Sequence, residues 1–381
     1  MKLLFLSALL ALVAGQCDED ITISSESDLS QLSGCNSYSG QITVSNYDGA
    51  TLDMSIKSAD SIVVENSFQL AQINFGSLTT ISKNFQIQNN TQLLGLSIPK
   101  LSSVDNFQLI NNPNLNVILS TSFSKIGNYQ IIQSQIVNLI PVSASTIKNI
   151  EIIANSFLID ISFPSVVNNT GYINIVDNHS SAFASFDSLT TISGNTTFRD
   201  LAGLRVDNVT TVSDTFNVYE NTFTKLDLSQ LSTLSKDLSI ANNTKLDTIK
   251  IPGVSNLGGG LQIIGNSALT QIENSTFTTL SYIKGGVSLS GPFDNITFPA
   301  LTRVDGAFKL NTTGTFSCNT ASTQIRPRVK GSYSCTQPKS STTSSGSSGS
   351  SNSPASSIVI NRSSIGAACI TFALIAATLF F

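Results

Sequence analysis

One short pattern of apolar and polar positions repeats along almost the whole chain. It reads apolar, any, apolar, any, any, Asn. It recurs as Phe85-Gln-Ile87 with Asn90, Phe107-Gln-Leu109 with Asn112, Tyr129-Gln-Ile131 with Ser134, Ile150-Glu-Ile152 with Asn155, and Ile173-Asn-Ile175 with Asn178. Further copies pair Phe216 and Val218 with Asn221, Leu238 and Ile240 with Asn243, and Leu261 and Ile263 with Asn266. Weaker copies fall at Ile42 and Val44, at Val63 near Asn66, at Phe198, at Val287 and Leu289, and at Phe308 and Leu310. From Asn90 to Asn178 the polar positions are 22, 22, 21 and 23 residues apart. Two-residue alternation makes each copy a strand, and the Asn then turns the chain. A second apolar patch, such as Leu78 with Ile81 or Leu101 with Val104, closes the coil. A single coil cannot bury its own apolar side, so coils stack over a shared core. The pattern predicts an all-β repeat solenoid, a parallel β-helix of about a dozen coils of 20–26 residues, over residues 16–338. At about 4.8 Å between neighbouring strands, such a stack is roughly 55 Å long.

The recurrent Asn is expected to face inward, where its amide bonds backbone groups of adjacent coils. In Asn89-Asn90 and Asn242-Asn243 the second residue is then the buried one. Aligning coils also gives the outward columns. Gln86, Gln108, Gln130, Glu151 and Asn174 form a polar column, read as a solvated amide ladder. A sugar-binding strip is the sharper reading, weakened because no aromatic residue interleaves with the amides. The next column is Ile110, Ile132, Ile153 and Val176, apolar where a polar one is expected. A strand that curls to bring this column inside is the preferred reading, and an exposed ridge for a partner the lesser one. Asp177, Asp200 and Glu220 stack in three successive coils. Such carboxylates could reach the spacing of about 5–9.5 Å that glycosidases use, or bind calcium. A solvated acidic patch is the preferred reading, because no aromatic platform or cleft loop accompanies them. The single histidine, His179, lies inside a glycosylation sequon and reads as a surface loop residue. Gly258, Gly259 and Gly260 read as a lengthened turn without the strand-to-helix context of a phosphate loop. No metal or nucleotide motif occurs, so no catalytic, cofactor or metal residue is assigned.

The two ends change the picture. Lys2 followed by an apolar run from Leu3 to Val13 and the small residues Ala14 and Gly15 reads as a secretory signal peptide over 1–15. A second apolar run covers Ile365 to Phe381, preceded by a spacer and the small residues Gly349, Ser350, Ser351, Asn352 and Ser353. That order predicts a GPI-attachment signal, with Ser351 as the attachment residue and Asn352 or Gly349 as alternatives. Residues 339–353 then form a Ser/Thr-rich stalk carrying the attachment region, and 354–381 a discarded propeptide. Nine sequons precede the tail: Asn89, Asn168, Asn178, Asn195, Asn208, Asn242, Asn274, Asn295 and Asn311. Exposed ones are expected to carry N-glycans, with Asn178 the poorest acceptor because it must also serve in the inward ladder. Cys369 leaves with the tail, and the remaining four cysteines permit three connectivities. Pairing neighbours at each end, Cys17 with Cys35 and Cys318 with Cys335, is the economical choice in an oxidising compartment. Charged residues make up 12% of the chain and the net charge is −4, with no basic patch, so nucleic acid is not an expected partner.

The repeat resembles leucine-rich repeats, and more closely the L domains of growth-factor receptors. Together with both end signals, the paired cysteines and the stalk, the chain resembles the fungal GPI-anchored cell-wall organisation proteins, which include the sporulation-specific wall proteins and their vegetative relatives. Segments such as Phe107-Gln-Leu-Ile-Asn-Asn-Pro-Asn-Leu and Leu238-Ser-Ile-Ala-Asn-Asn-Thr-Lys-Leu carry the likeness. The resemblance implies a right-handed, L-domain-like solenoid acting in wall or spore-wall assembly without catalytic residues. It implies cell-wall polysaccharide or other wall proteins as partners, and the membrane through the lipid. The coils near Phe198, Pro292 and Thr312 lack the turn Asn, which predicts irregular packing there.

Overall fold

A computed structural model describes residues 17–338. The expected signal peptide, stalk and GPI-attachment residues lie outside that span. Fifteen strands form one long sheet in which every pairing is parallel and joins a coil to the next. It begins at Ile21–Ile23, passes through strands such as Thr80–Gln88, Ser103–Asn112 and Lys125–Ser134, and ends at Tyr333–Thr336. Short strands, including Val117–Ser120 and Thr191–Ile192, build narrower sheets on the remaining sides of the coils. The sheet is longer than the repeat pattern indicates because each end adds a strand beyond the patterned copies. Among the described residues, no helix is long and apolar enough to cross a membrane.

Strict alternation places Phe85, Phe107 and Tyr129 inside, in register on consecutive coils. The rings of Phe85 and Phe107 stack at 5.5 Å and those of Phe107 and Tyr129 at 5.8 Å. Tyr129 is fully buried, yet its hydroxyl donates to the Ile140 carbonyl (3.2 Å) and accepts from the Ile140 amide (3.0 Å). Burial pushes this phenol well above its ordinary range, so it stays protonated.

The inward amides form the ladder that the spacing predicts. Asn90 is fully buried; its Nδ2 donates to the carbonyls of Val64 (3.1 Å) and Gln88 (2.9 Å). Its Oδ1 accepts from the Ser67 amide at 3.0 Å. Asn112, Asn155, Asn178, Asn243 and Asn266 repeat the reach to the preceding coil, at 2.8, 3.0, 2.8, 3.0 and 2.9 Å. These bonds satisfy backbone groups that the bend would otherwise strand in the core.

The bend itself falls one residue earlier than the sequence pattern suggests. Asn46, Asn66, Asn89, Asn111, Gln133, Ala154, Asp177, Asp200, Glu220 and Asn242 all have φ between 51° and 58°, and Gly265 has 66°. Left-handed geometry therefore turns each of these coils, and from Ser67 to Asn266 the residue after it occupies the ladder position.

The coils lacking the turn Asn remain in register. Phe198 pairs with Ile175 and Val218, while Leu201 occupies the ladder position and donates its amide to Asn221 Oδ1 at 2.9 Å. Thr312 is buried and donates its hydroxyl to the Phe293 carbonyl at 2.9 Å, so its polar group is satisfied inside the stack. Gly259, Gly285 and Gly306 stack where backbones touch: a Cβ on Gly285 or on Gly306 would lie 2.6 Å from the carbonyl carbon of the glycine one coil earlier. The glycine run at 258–260 thus belongs to coil packing. Disulfides join Cys17 to Cys35 and Cys318 to Cys335 at the two ends of the stack. The helix Cys318–Gln324 lies against the last strand.

Candidate functional site

On the outer face of the long sheet, alternation produces three parallel columns. Asn84, Asn106, Asn128 and Asn149 make the first. Asn106 donates to Asn84 at 2.9 Å, Asn128 to Asn106, and Asn149 to Asn128 at 2.6 Å. The second column holds the polar residues expected there. Gln108 donates to Gln130 (2.6 Å) and Gln130 to Glu151 (2.7 Å). The third is Ile110, Ile132, Ile153 and Val176, in direct register. The three isoleucines are half-buried on the outside, so the strand does not curl to take them in, whereas Val176 at the end of the column is buried. Alternation holds through this position because the left-handed turn comes only after it. At the three isoleucines an outward ridge replaces the interior reading, which holds at Val176 alone.

An aromatic residue does join the amides. Ile150 pairs with Ile173, which sets Tyr172 beside Asn149. The Tyr172 amide donates to Asn149 Oδ1 at 3.0 Å, and its hydroxyl donates to Glu151 Oε2 at 3.1 Å. Partial burial, the Glu151 charge and this hydrogen bond push the phenol up to about 12. Tyr172 as a residue remains 38% exposed. Together these side chains border a shallow polar pocket of about 270 Å³. The signal was present in the sequence one residue before the aligned apolar doublet.

The acidic column is paired to a single arginine at the surface. Arg199 contacts Asp177, Asp200 (2.9 Å) and Glu220 (3.4 Å) at once. Its hydrogen bond to Asp200 raises the guanidinium pKa further. Burial and the adjoining Asp177 carboxyl push Asp200 above the usual carboxylate range despite the arginine. Asp177 and Asp200 are thus both held on the same guanidinium. His179 Nδ1 accepts from the Ser181 amide at 3.0 Å, within its own loop. Among the described residues there is no cluster of three or more metal-ligating side chains.

Six sequon asparagines are exposed: Asn195, Asn208, Asn242, Asn274, Asn295 and Asn311. Asn89 and Asn168 are half-buried, while Asn178 is buried with its Nδ2 held by the carbonyls of Ile152 and Val176. Ser351, Asn352 and Gly349 lie outside the described residues. Sequence reasoning also missed a set of exposed apolar residues on other sides of the coils, among them Val117, Leu119, Phe157 and Ile159.

The chain is 30% identical over 332 residues to the protein ecm33 of Aspergillus fumigatus, covering 86% of this chain and 82% of the relative. The chain belongs to the Ecm33 family of fungal proteins. A second Ecm33 relative, the cell surface GPI-anchored protein ECM33 of Candida albicans, is 30% identical over 85% of this chain and 79% of its own length. Sporulation-specific protein 22 of Saccharomyces cerevisiae is 27% identical over 80% of this chain and 66% of its own. No protein-family model matches this Ecm33-family chain, and no solved structure does.

Proposed function

We propose that this chain is a secreted, GPI-anchored glycoprotein of the fungal cell surface that organises the wall without enzymatic chemistry. It does so by displaying a stiff coil stack to wall polysaccharide or to other wall proteins. The name of the Candida relative, a cell surface GPI-anchored protein, supports the surface location and the lipid, as does the order of small residues, spacer and apolar run around Ser351. Residues 1–15 serve as the signal peptide, 16–338 as the solenoid, 339–353 as the stalk and 354–381 as the removed propeptide. The exposed sequons carry the glycans that a chain with only 12% charged residues needs for hydration. Asn178 stays bare, because a glycan on Nδ2 would replace a hydrogen that the coil uses.

One observation supports the absence of catalysis most directly: all three acids of the column are paired to Arg199, so none stands as an unpaired carboxylate. The test is complementation of a deletion strain with a Asp177→Ala, Asp200→Ala, Glu220→Ala triple variant. Growth on wall-stressing dyes should match the wild-type gene when surface levels match. Failure to restore growth at equal surface level would instead favour a polysaccharide-active enzyme.

A further inference from the structure

We propose that the outer face of the long sheet, from Ser103–Asn112 to Ile173–Val176, binds an uncharged, extended polysaccharide lying along the stack axis. This inference deepens the wall-facing reading above and rests on it.

The strip offers the two surfaces that a sugar chain presents. Sugar hydroxyls need donors and acceptors, and two columns of primary amides supply both. Gln130 spends one N–H on Glu151, and Asn128 one on Asn106, so each keeps a second N–H for a ligand. The C–H faces of sugar rings need apolar partners, and the Ile110, Ile132, Ile153 ridge runs directly alongside. Tyr172 ends the strip with a part-exposed ring fixed at both its amide and its hydroxyl. Coils repeat every 4.7–4.9 Å, which is comparable with one hexose of an extended chain, so one set of contacts serves successive sugars.

Charge argues for a neutral ligand. Glu151 is the only acid bordering the pocket, and it already accepts from Gln130 and Tyr172. Lys148 is the only base there, so nothing gathers a polyanion. Glycan placement points the same way. Residues 90–167 contain no sequon, whereas eight of the nine lie at 168 or beyond. The first three strands of the strip, Ser103–Asn112, Lys125–Ser134 and Asn149–Ile153, lie within this bare interval. Asn195 occupies the register position after Tyr172 and closes it at one end, since Ile173 pairs with Thr196.

The experiment uses full-length protein purified from fungal cells in detergent. Its probes are a β-1,3-glucan heptamer, a chitin hexamer and, as polyanion control, heparin, each followed by titration calorimetry. Saturable binding of at least one neutral oligomer is expected, with none of heparin. Tyr172→Ala and Gln130→Leu should each weaken it about tenfold or more. The double change Gln130→Asn, Ile132→Thr installs a sequon in the strip and should abolish binding. Thermal unfolding is measured for every variant. If Tyr172→Ala lowers the unfolding temperature, Gln130→Leu and the inserted glycan decide. Absence of neutral-oligomer binding, binding of heparin instead, or binding that survives the inserted glycan overturns the proposal. Complementation separates the two readings. If the wild-type gene restores wall integrity but the protein binds no sugar, the strip alone fails; if deletion leaves the wall unaffected, the wall role fails.

Discussion

Asn90 shows how much one residue carries in a coil too thin to bury its own polar groups. Its amide serves the carbonyls of Val64 and Gln88 and the amide of Ser67, all in the interior. Asn90→Ala removes these partners together. Each stranded buried group costs about 1–3 kcal/mol, so the coil should lose about 3 kcal/mol or more. The comparison is Asn84→Ala, which removes a half-exposed rung and should change stability by less than about 0.5 kcal/mol. Urea denaturation of both variants measures the difference; equal midpoints would mean that the inward amides do not hold the coils. This part of the molecule was legible, because a single polar residue recurring every 22 or so positions among apolar ones has to be satisfied internally. Tyr172 was not. Spacing tells inward from outward, but only the register that sets it beside Asn149 shows which outward neighbours meet.

At the scale of the coil, the bend is made by a backbone state rather than by a residue type. Ten non-glycine residues adopt positive φ at the same place, from asparagine to Glu220 and even Ala154. Asn tolerates this geometry, whereas other L-residues pay roughly 1–2 kcal/mol for it. The packed strands on both sides hold them there. The column was hidden in the sequence for that reason: tertiary pairing overrides local preference, and only the Asn-Asn pairs at 89, 111 and 242 hint at it. Ala154→Gly should therefore stabilise the protein by about 1 kcal/mol, with relief of the Cβ clash outweighing the added chain entropy. Gly265→Ala should do the reverse, since its φ is 66° and the new methyl would strike the Asn242 side chain. Thermal midpoints moving in opposite directions support this account, and a loss in Ala154→Gly counts against it. The same turn explains the Ile110 ridge: alternation runs unbroken until the left-handed residue, so an apolar side chain at that position is left outside.

Across residues 17–338, each coil touches chiefly its two neighbours, and stability is close to a sum of coil and interface terms. The weak points are then the ends, where one neighbour is missing. The repeat made the stack legible, but not its two extra strands, because Ile21–Ile23 and Tyr333–Thr336 lie outside the periodic pattern. The disulfides sit at those ends, closing segments of 18 and 17 residues. Loops of about this length confer roughly 3 kcal/mol in the chain-entropy view. In a globular core that loss would spread through one cooperative unit. In a stack it should stay local. Replacing Cys318 and Cys335 together by serine should expose Tyr333–Thr336 and the adjoining Phe308–Thr312 strand to hydrogen exchange, while amides in Ser103–Asn112 and Lys125–Ser134 keep their protection. Exchange by mass spectrometry of the full-length variant reads this coil by coil. Uniform loss of protection along the stack would show that the coils unfold as one body and that the ends are not separately stapled.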